Sequence, residues 1–143
     1  MLKLVMIEDD PDDIYLLEKA IKEAEEEIEL NTVNHGPALF EYLNKLWDHH
    51  FGLFPDIILL DLNLPRMNGL EILRTLKSDV RFKSIPVVIY TTSELNTDAL
   101  NCYQSGANSY LVKPENYRGV KELIALLTKY WERNIKLSFE ELL

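Results

Sequence analysis

The chain has 143 residues, 47% of them hydrophobic and 27% charged, which is enough length to bury one sizeable core. Its 15 basic and 24 acidic side chains give a net charge of −9, and so acidic a surface repels a nucleic-acid backbone. No apolar run approaches the roughly 20 residues of a membrane helix, and the single cysteine, Cys102, cannot form an internal disulfide. We therefore expect one domain in the cytoplasm, with neither nucleic acid nor membrane as a partner.

Short apolar runs alternate with longer amphipathic patterns along the chain, which is typical of an α/β protein. Strands are predicted at residues 2–7, 28–33, 56–61, 86–90 and 109–112. A helical pattern follows each strand, and the last is the clearest, with apolar residues three and four positions apart up to Trp131. Five such units with right-handed crossovers form a doubly wound, five-stranded parallel sheet. We assign residues 1–131 to this domain and residues 132–143 to a C-terminal extension.

Polar side chains follow four of the predicted strands. They are Glu8, Asp9 and Asp10 after the first strand, Asp61 after the third, Thr91 and Thr92 after the fourth, and Lys113 after the fifth. Because the carboxyl ends of parallel strands meet at one edge of the sheet, we expect these side chains to share one crevice. Clustered carboxylates need a hard cation between them, and an all-oxygen ligand set favours Mg²⁺. Beside such a metal, an Asp can attack a phosphoryl group while a Lys and a hydroxyl neutralise its oxygens.

Four segments of the chain resemble the receiver domains of two-component response regulators. They read IEDDP at residues 7–11, LDLNLPRMNG at 60–69, YTTS at 90–93 and GANSYLVKP at 106–114. The segments have the order and spacing of that family, and the likeness covers nearly the whole chain. The resemblance implies a flavodoxin-like (CheY-like) fold and a stand-alone switch rather than an enzyme, with only phosphoryl uptake and self-dephosphorylation as its chemistry. The residues around Asp61 and Gly106 look most like regulators paired with phytochrome-type histidine kinases.

The resemblance also implies a role for each acidic residue of the crevice. Asp61 is expected to accept the phosphoryl group. Asp9 and Asp10 are expected to be the acidic pair that organises Mg²⁺, with Asp10 as the direct ligand. Asn63 is expected to add its backbone carbonyl to the metal's ligands.

The remaining motif residues are expected to sense the phosphoryl group. Thr91 would be the hydroxyl that moves onto the aspartyl phosphate, and Lys113 the cation that pairs with it. Tyr110 would be the aromatic whose rotamer reports the change. The Lys113–Pro114 bond is expected to be cis, as the resemblance suggests.

Two other classes of function use related chemistry or a related fold. An Asp-nucleophile phosphohydrolase commonly has a second acid two residues after the nucleophile, and here Asn63 stands in that place. A nucleotide-binding module would carry G-x-G-x-x-G after the first strand, where this chain has acids. Both alternatives are therefore disfavoured. For Asp12 and Asp13 we expect only a structural role, because acids favour the dipole at the start of a helix.

The expected partners follow from the interpretation of the protein as a phosphorylation-controlled switch. A histidine kinase or phosphotransfer protein would supply the phosphoryl group, and a downstream protein would read the changed surface. Residues 132–143 retain several apolar side chains, whereas a disordered tail would be more polar. We therefore expect that a homodimer can form through this tail and the face made by the fourth helix, fifth strand and fifth helix.

Overall fold

The computed structural model describes residues 1–49 and 53–134, in which strands and helices alternate from end to end. The strands are β1 (Leu2–Ile7), β2 (Ile28–Val33), β3 (Ile57–Leu60), β4 (Val87–Thr91) and β5 (Ser109–Val112). The helices are α1 (Pro11–Glu23), α2 (Gly36–His49), α3 (Gly69–Ser78), α4 (Asn96–Gln104) and α5 (Tyr117–Glu132). All strands are parallel, in the order β2-β1-β3-β4-β5, which confirms the predicted doubly wound α/β sheet.

The middle of the sheet is apolar on both faces because helices cover each side. Every residue of β3 and β4 is buried, whereas the edge strand β2 alternates between half-buried and exposed residues. Within β3, Ile58 and Leu60 pack towards α2, α3 and α4, and Ile57 and Leu59 pack towards α1 and α5. This alternation leaves only the ends of the strands for polar chemistry.

The amphipathic stripe predicted for the last helix is confirmed in α5. Its five apolar positions are buried on the α1 side of the sheet: Val120, Leu123, Ile124, Leu127 and Trp131. No helix of residues 1–49 and 53–134 is long and apolar enough to cross a membrane. The apolar tail residues from Ile135 onward lie outside the described residues, so the boundary between domain and extension stays a prediction.

The Lys113–Pro114 bond differs from our expectation. No peptide bond in the described residues is cis, so the predicted cis bond is wrong. The Lys113 N–H donates to the Thr91 carbonyl at 2.7 Å, which adds one hydrogen bond to the β4–β5 ladder. The trans form is the intrinsically favoured isomer of a bond before proline.

Gly69 opens α3 in close contact with the end of β3. A Cβ there would lie 2.1 Å from the Asp61 carbonyl oxygen and 2.7 Å from the Leu62 Cα. Gly36 likewise opens a helix, but a Cβ there would meet only side chains, those of Ile72 and Met67, at 3.0 Å. Backbone atoms cannot yield without displacing Asp61, whereas side-chain ends can.

We predict that Gly69→Ala lowers the free energy of unfolding by about 2 kcal/mol or more, as measured by urea denaturation. Gly36→Ala is the matched control and should cost less than half as much, because Ala also favours the helix. An equal or larger loss for Gly36→Ala would contradict this account of the α3 start.

Candidate functional site

The register of the sheet brings the predicted polar residues to one edge. Ile7 of β1 lies opposite Leu60 of β3, so the next residues, Glu8 and Asp61, are neighbours. Thr91 ends β4, and Lys113 directly follows β5. Side chains that are far apart in sequence therefore meet at the carboxyl ends of the strands, as the topology predicts.

The Lys113 ammonium joins three carboxylates in this crevice. It donates to Glu8 Oε1, to Asp13 Oδ2 at 2.7 Å and to Asp61 Oδ2 at 3.3 Å. Burial alone would lower the pKa of Lys113, but the hydrogen bonds to Asp13 and Glu8 and the charge of Asp61 outweigh burial and raise it. Lys113 is therefore the fixed positive charge of the site.

Glu8 is the most deeply buried acid of the crevice, with 1% of its side chain exposed. Its Oε2 accepts hydrogen bonds from the backbone N–H of Asp9 at 3.1 Å and of Asp10 at 3.4 Å. Burial raises the pKa of Glu8 to about 7, and the neighbouring Asp61 carboxylate adds to this, while the bond to Lys113 opposes it. Glu8 is thus held rigidly from both of its oxygens.

Three carboxylates could share one cation. Glu8, Asp9 and Asp61 each offer an oxygen, and these oxygens lie within 4.8 Å of one another. Oxygen donors with several negative charges are the ligands of a hard divalent cation, so the residues present fit such an ion.

Asp10 is not part of this acidic cluster. It is the N-cap of α1, where its Oδ1 accepts a hydrogen bond from the Asp12 N–H at 2.9 Å. Sequence reasoning paired Asp9 with Asp10 as the metal-organising acids, whereas the geometry pairs Asp9 with Glu8. The sequence contained the signal for this pairing, because Glu8 is the first residue after β1 and therefore the one beside Asp61.

Asp13 is the second residue that sequence reasoning missed as a member of the site. It lies in the first turn of α1 and was expected only to favour the helix dipole. Its contact with Lys113 spans 100 residues of sequence, and no local pattern encodes such a pair.

Asn63 lies beside the crevice, on the loop that follows β3. Its backbone N–H donates to Asp61 Oδ1 at 3.4 Å. The role of its carbonyl as a metal ligand stays a prediction.

Thr91 and Tyr110 lie on neighbouring strands behind the crevice. Thr91 is fully buried, and its hydroxyl has no hydrogen-bond partner among the described residues. By contrast, the Tyr110 hydroxyl has a partner: it donates to the Ser93 carbonyl at 2.9 Å, in the loop between β4 and α4. An unpartnered buried hydroxyl costs about 1–3 kcal/mol. The roles of Thr91 and Tyr110 as switch residues stay predictions.

Comparison with protein families agrees with this geometry. The family model described as "Response regulator receiver domain" matches residues 4–125, which is most of the chain. The chain belongs to the receiver-domain family of response regulators. It is a phosphoacceptor protein of two-component signalling rather than a catalytic enzyme, and this confirms the family, the CheY-like fold and the class of function expected from the sequence.

Several relatives match over nearly their whole length. Response regulator Rcp1 of Synechocystis is 30% identical over 134 residues, 94% of this chain and 91% of that protein. The structure of its Mn²⁺-bound form has a TM-score of 0.81, with 29% identity over 96% of this chain and 99% of that one. The structure of the phosphorylated cyanobacterial phytochrome response regulator RcpA has a TM-score of 0.83, with 32% identity and the same coverage.

We predict that Asp9→Asn weakens Mn²⁺ binding by about tenfold or more, because it removes one anionic ligand from the acidic cluster. Isothermal titration of the purified protein with MnCl₂ measures the dissociation constant. Asp10→Asn is the matched control and should bind within about twofold of the unmodified chain, because Asn also caps helices well. A loss of affinity in Asp10→Asn equal to that in Asp9→Asn would place the metal elsewhere.

Proposed function

We propose that this protein is a stand-alone response regulator that accepts a phosphoryl group on Asp61 from a histidine kinase or phosphotransfer protein. The observation that carries the proposal is the setting of Asp61. Its carboxylate directly follows β3, in which every residue is buried, faces Lys113 at 3.3 Å and lies within the acidic cluster. Relatives that this chain matches over 91% of their length and more support the stand-alone form.

In the proposed reaction, an Asp61 carboxylate oxygen attacks the phosphorus of the donor. The bond from phosphorus to the donor's nitrogen breaks, and an acyl phosphate forms on the protein. Glu8, Asp9 and Asp61 would hold Mg²⁺, with the Asn63 backbone carbonyl as a further ligand; the bound ion supplies positive charge for the phosphoryl oxygens. Lys113, which bonds Asp61 Oδ2, supplies a second positive charge.

The proposed switch uses the two hydroxyls behind the site. The buried Thr91 hydroxyl would donate to a phosphoryl oxygen and so gain the partner that it otherwise lacks. The β4–α4 loop would move with it, and the Tyr110 hydroxyl would give up its bond to the Ser93 carbonyl. The phosphoryl group thereby changes a surface that a partner can read.

The proposed partners follow from the relatives and the exposed surface. The names of several similar structures refer to phytochromes or red-light signalling, which supports a phytochrome-type histidine kinase as donor. A downstream protein, or a second copy of this chain, would bind the face made by α4, β5 and α5. This face carries exposed apolar side chains: Leu100, Tyr103, Val112, Leu126 and Tyr130. We place the protein in the cytoplasm, where such kinases present their phosphohistidine.

We predict that acetyl phosphate with MgCl₂ adds one phosphoryl group to this protein and that Asp61→Asn abolishes the adduct. Intact-mass spectrometry detects the added mass directly. Asp56→Asn is the matched control just before the start of β3, where its carboxylate accepts from the Lys3 N–H, and it should be phosphorylated like the unmodified chain because it lies at the opposite end of the strand from Asp61. An undiminished adduct on Asp61→Asn would refute the assignment.

We also predict that Thr91→Ala separates uptake from the switch. Phosphorylation should persist, because Asp61 and Lys113 are unchanged. Beryllofluoride should no longer alter hydrogen–deuterium exchange in the loop of residues 92–95, since the hydroxyl that links loop and phosphoryl group is gone. Thr92→Ala, in which an exposed neighbour is changed, should respond like the unmodified chain. A full response in Thr91→Ala would rule out this coupling.

A further inference from the structure

Lys113 has no hydrogen-bond donor left for a phosphoryl oxygen. A lysine ammonium carries three donors, and here they bond Glu8, Asp13 and Asp61. For Lys113 to bind a phosphoryl group on Asp61, one of these bonds must be given up. The identity of that bond decides how tightly the phosphoryl group is held.

A bound cation distinguishes the three carboxylates. Glu8 and Asp61 belong to the acidic cluster, so a divalent cation there offsets part of their charge. Asp13 lies on α1, outside that cluster, and Lys113 is its only ion-pair partner in the described part of the chain. A metal in the cluster therefore leaves the attraction between Asp13 and Lys113 largely in place.

With the cation bound, Asp13 is therefore the carboxylate that still competes strongly for Lys113, and its exposure shows that it can also release Lys113. The Asp13 side chain is 26% exposed, whereas the side chains of Glu8 and Asp61 are 1% and 7% exposed. Water can solvate Asp13 when Lys113 leaves it, but it cannot reach Glu8 in the same way. Of the two carboxylates that keep their charge when Asp61 is phosphorylated, Asp13 is thus the one that releases Lys113 at the lower cost.

We propose that Asp13 is a positioning residue that competes with the phosphoryl group for Lys113, an inference that rests on the proposed phosphorylation of Asp61. When the phosphoryl group arrives, one Lys113 donor moves from Asp13 Oδ2 to a phosphoryl oxygen, and Asp13 turns to water. The strength of the Asp13 bond sets the affinity of the protein for the phosphoryl group and for its mimic beryllofluoride. Asp13 therefore restrains the switch without touching the reacting atoms.

Asp12 provides a matched control for this role. It is also in the first turn of α1, so it has the same effect on the helix dipole as Asp13. Its side chain is exposed and makes no ion pair in the described residues. A purely structural effect of acids in this turn would appear equally in Asp12→Asn and Asp13→Asn.

The first experiment measures the dissociation constant of beryllofluoride by isothermal titration at saturating MgCl₂. Asp13→Asn should bind about three- to tenfold more tightly than the unmodified chain, because one partner of Lys113 no longer competes. Asp12→Asn should stay within about twofold, and Asp13→Glu, which restores the carboxylate, should return towards the unmodified value. Unchanged or weaker binding in Asp13→Asn would overturn the proposal, as would equal tightening in Asp12→Asn.

A second experiment tests the underlying pair without any phosphoryl chemistry. A double-mutant cycle of Asp13→Asn and Lys113→Ala, followed by urea unfolding, should give a coupling of about tenfold in the unfolding equilibrium constant. The corresponding cycle of Asp12→Asn and Lys113→Ala should give none. If the unmodified chain binds no beryllofluoride, the proposed function fails; absent coupling between Asp13 and Lys113 overturns the present inference in either case.

Discussion

The buried ammonium of Lys113 is the interaction on which the organisation of this protein depends. It links the residue after β1, the first turn of α1 and the residue after β3 to the end of β5. Without it, the buried carboxylates of Glu8 and Asp61 would face each other where water scarcely enters, and an uncompensated buried charge is strongly destabilising. In the proposed function, the same charge that stabilises these buried carboxylates also pairs with the phosphoryl group. Stability and function therefore use the same atoms.

The parallel sheet explains why this arrangement lies where it does. Apolar side chains fill both faces of β3 and β4, so polar groups can collect only beyond the strand ends. The close approach of Gly69 to the Asp61 carbonyl fixes the turn after β3 and thus the direction of the Asp61 side chain. The packing of the core therefore determines how the side chains of the acidic cluster are oriented.

Within the described part of the chain, the site contains one buried group, Lys113, with all its hydrogen bonds made and another, Thr91, with none made by its hydroxyl. Lys113 uses all its donors on carboxylates, whereas the buried Thr91 hydroxyl has no partner among the described residues. In the proposed function, a phosphoryl group on Asp61 takes a donor from the first and satisfies the second. The balance between the two states then depends on how firmly Asp13 holds Lys113 and how much Thr91 gains.

The sequence by itself determined the fold class, the strands whose ends carry the polar residues, and the principal residues of the site. The hydrophobic patterns of strands and helices are local, so β3 and the buried stripe of α5 could be predicted. Because the carboxyl ends of parallel strands lie at one edge of the sheet, the proximity of Asp61 and Lys113 could then be predicted as well. Only the tertiary structure decided which acids join them. Asp10 and Glu8 are two residues apart and look equivalent in sequence, but the first caps a helix and the second lies beside Asp61 because of the β1–β3 register. The contact of Asp13 with Lys113 could not be predicted at all, since it depends on how α1 packs across the sheet edge, which no local pattern specifies.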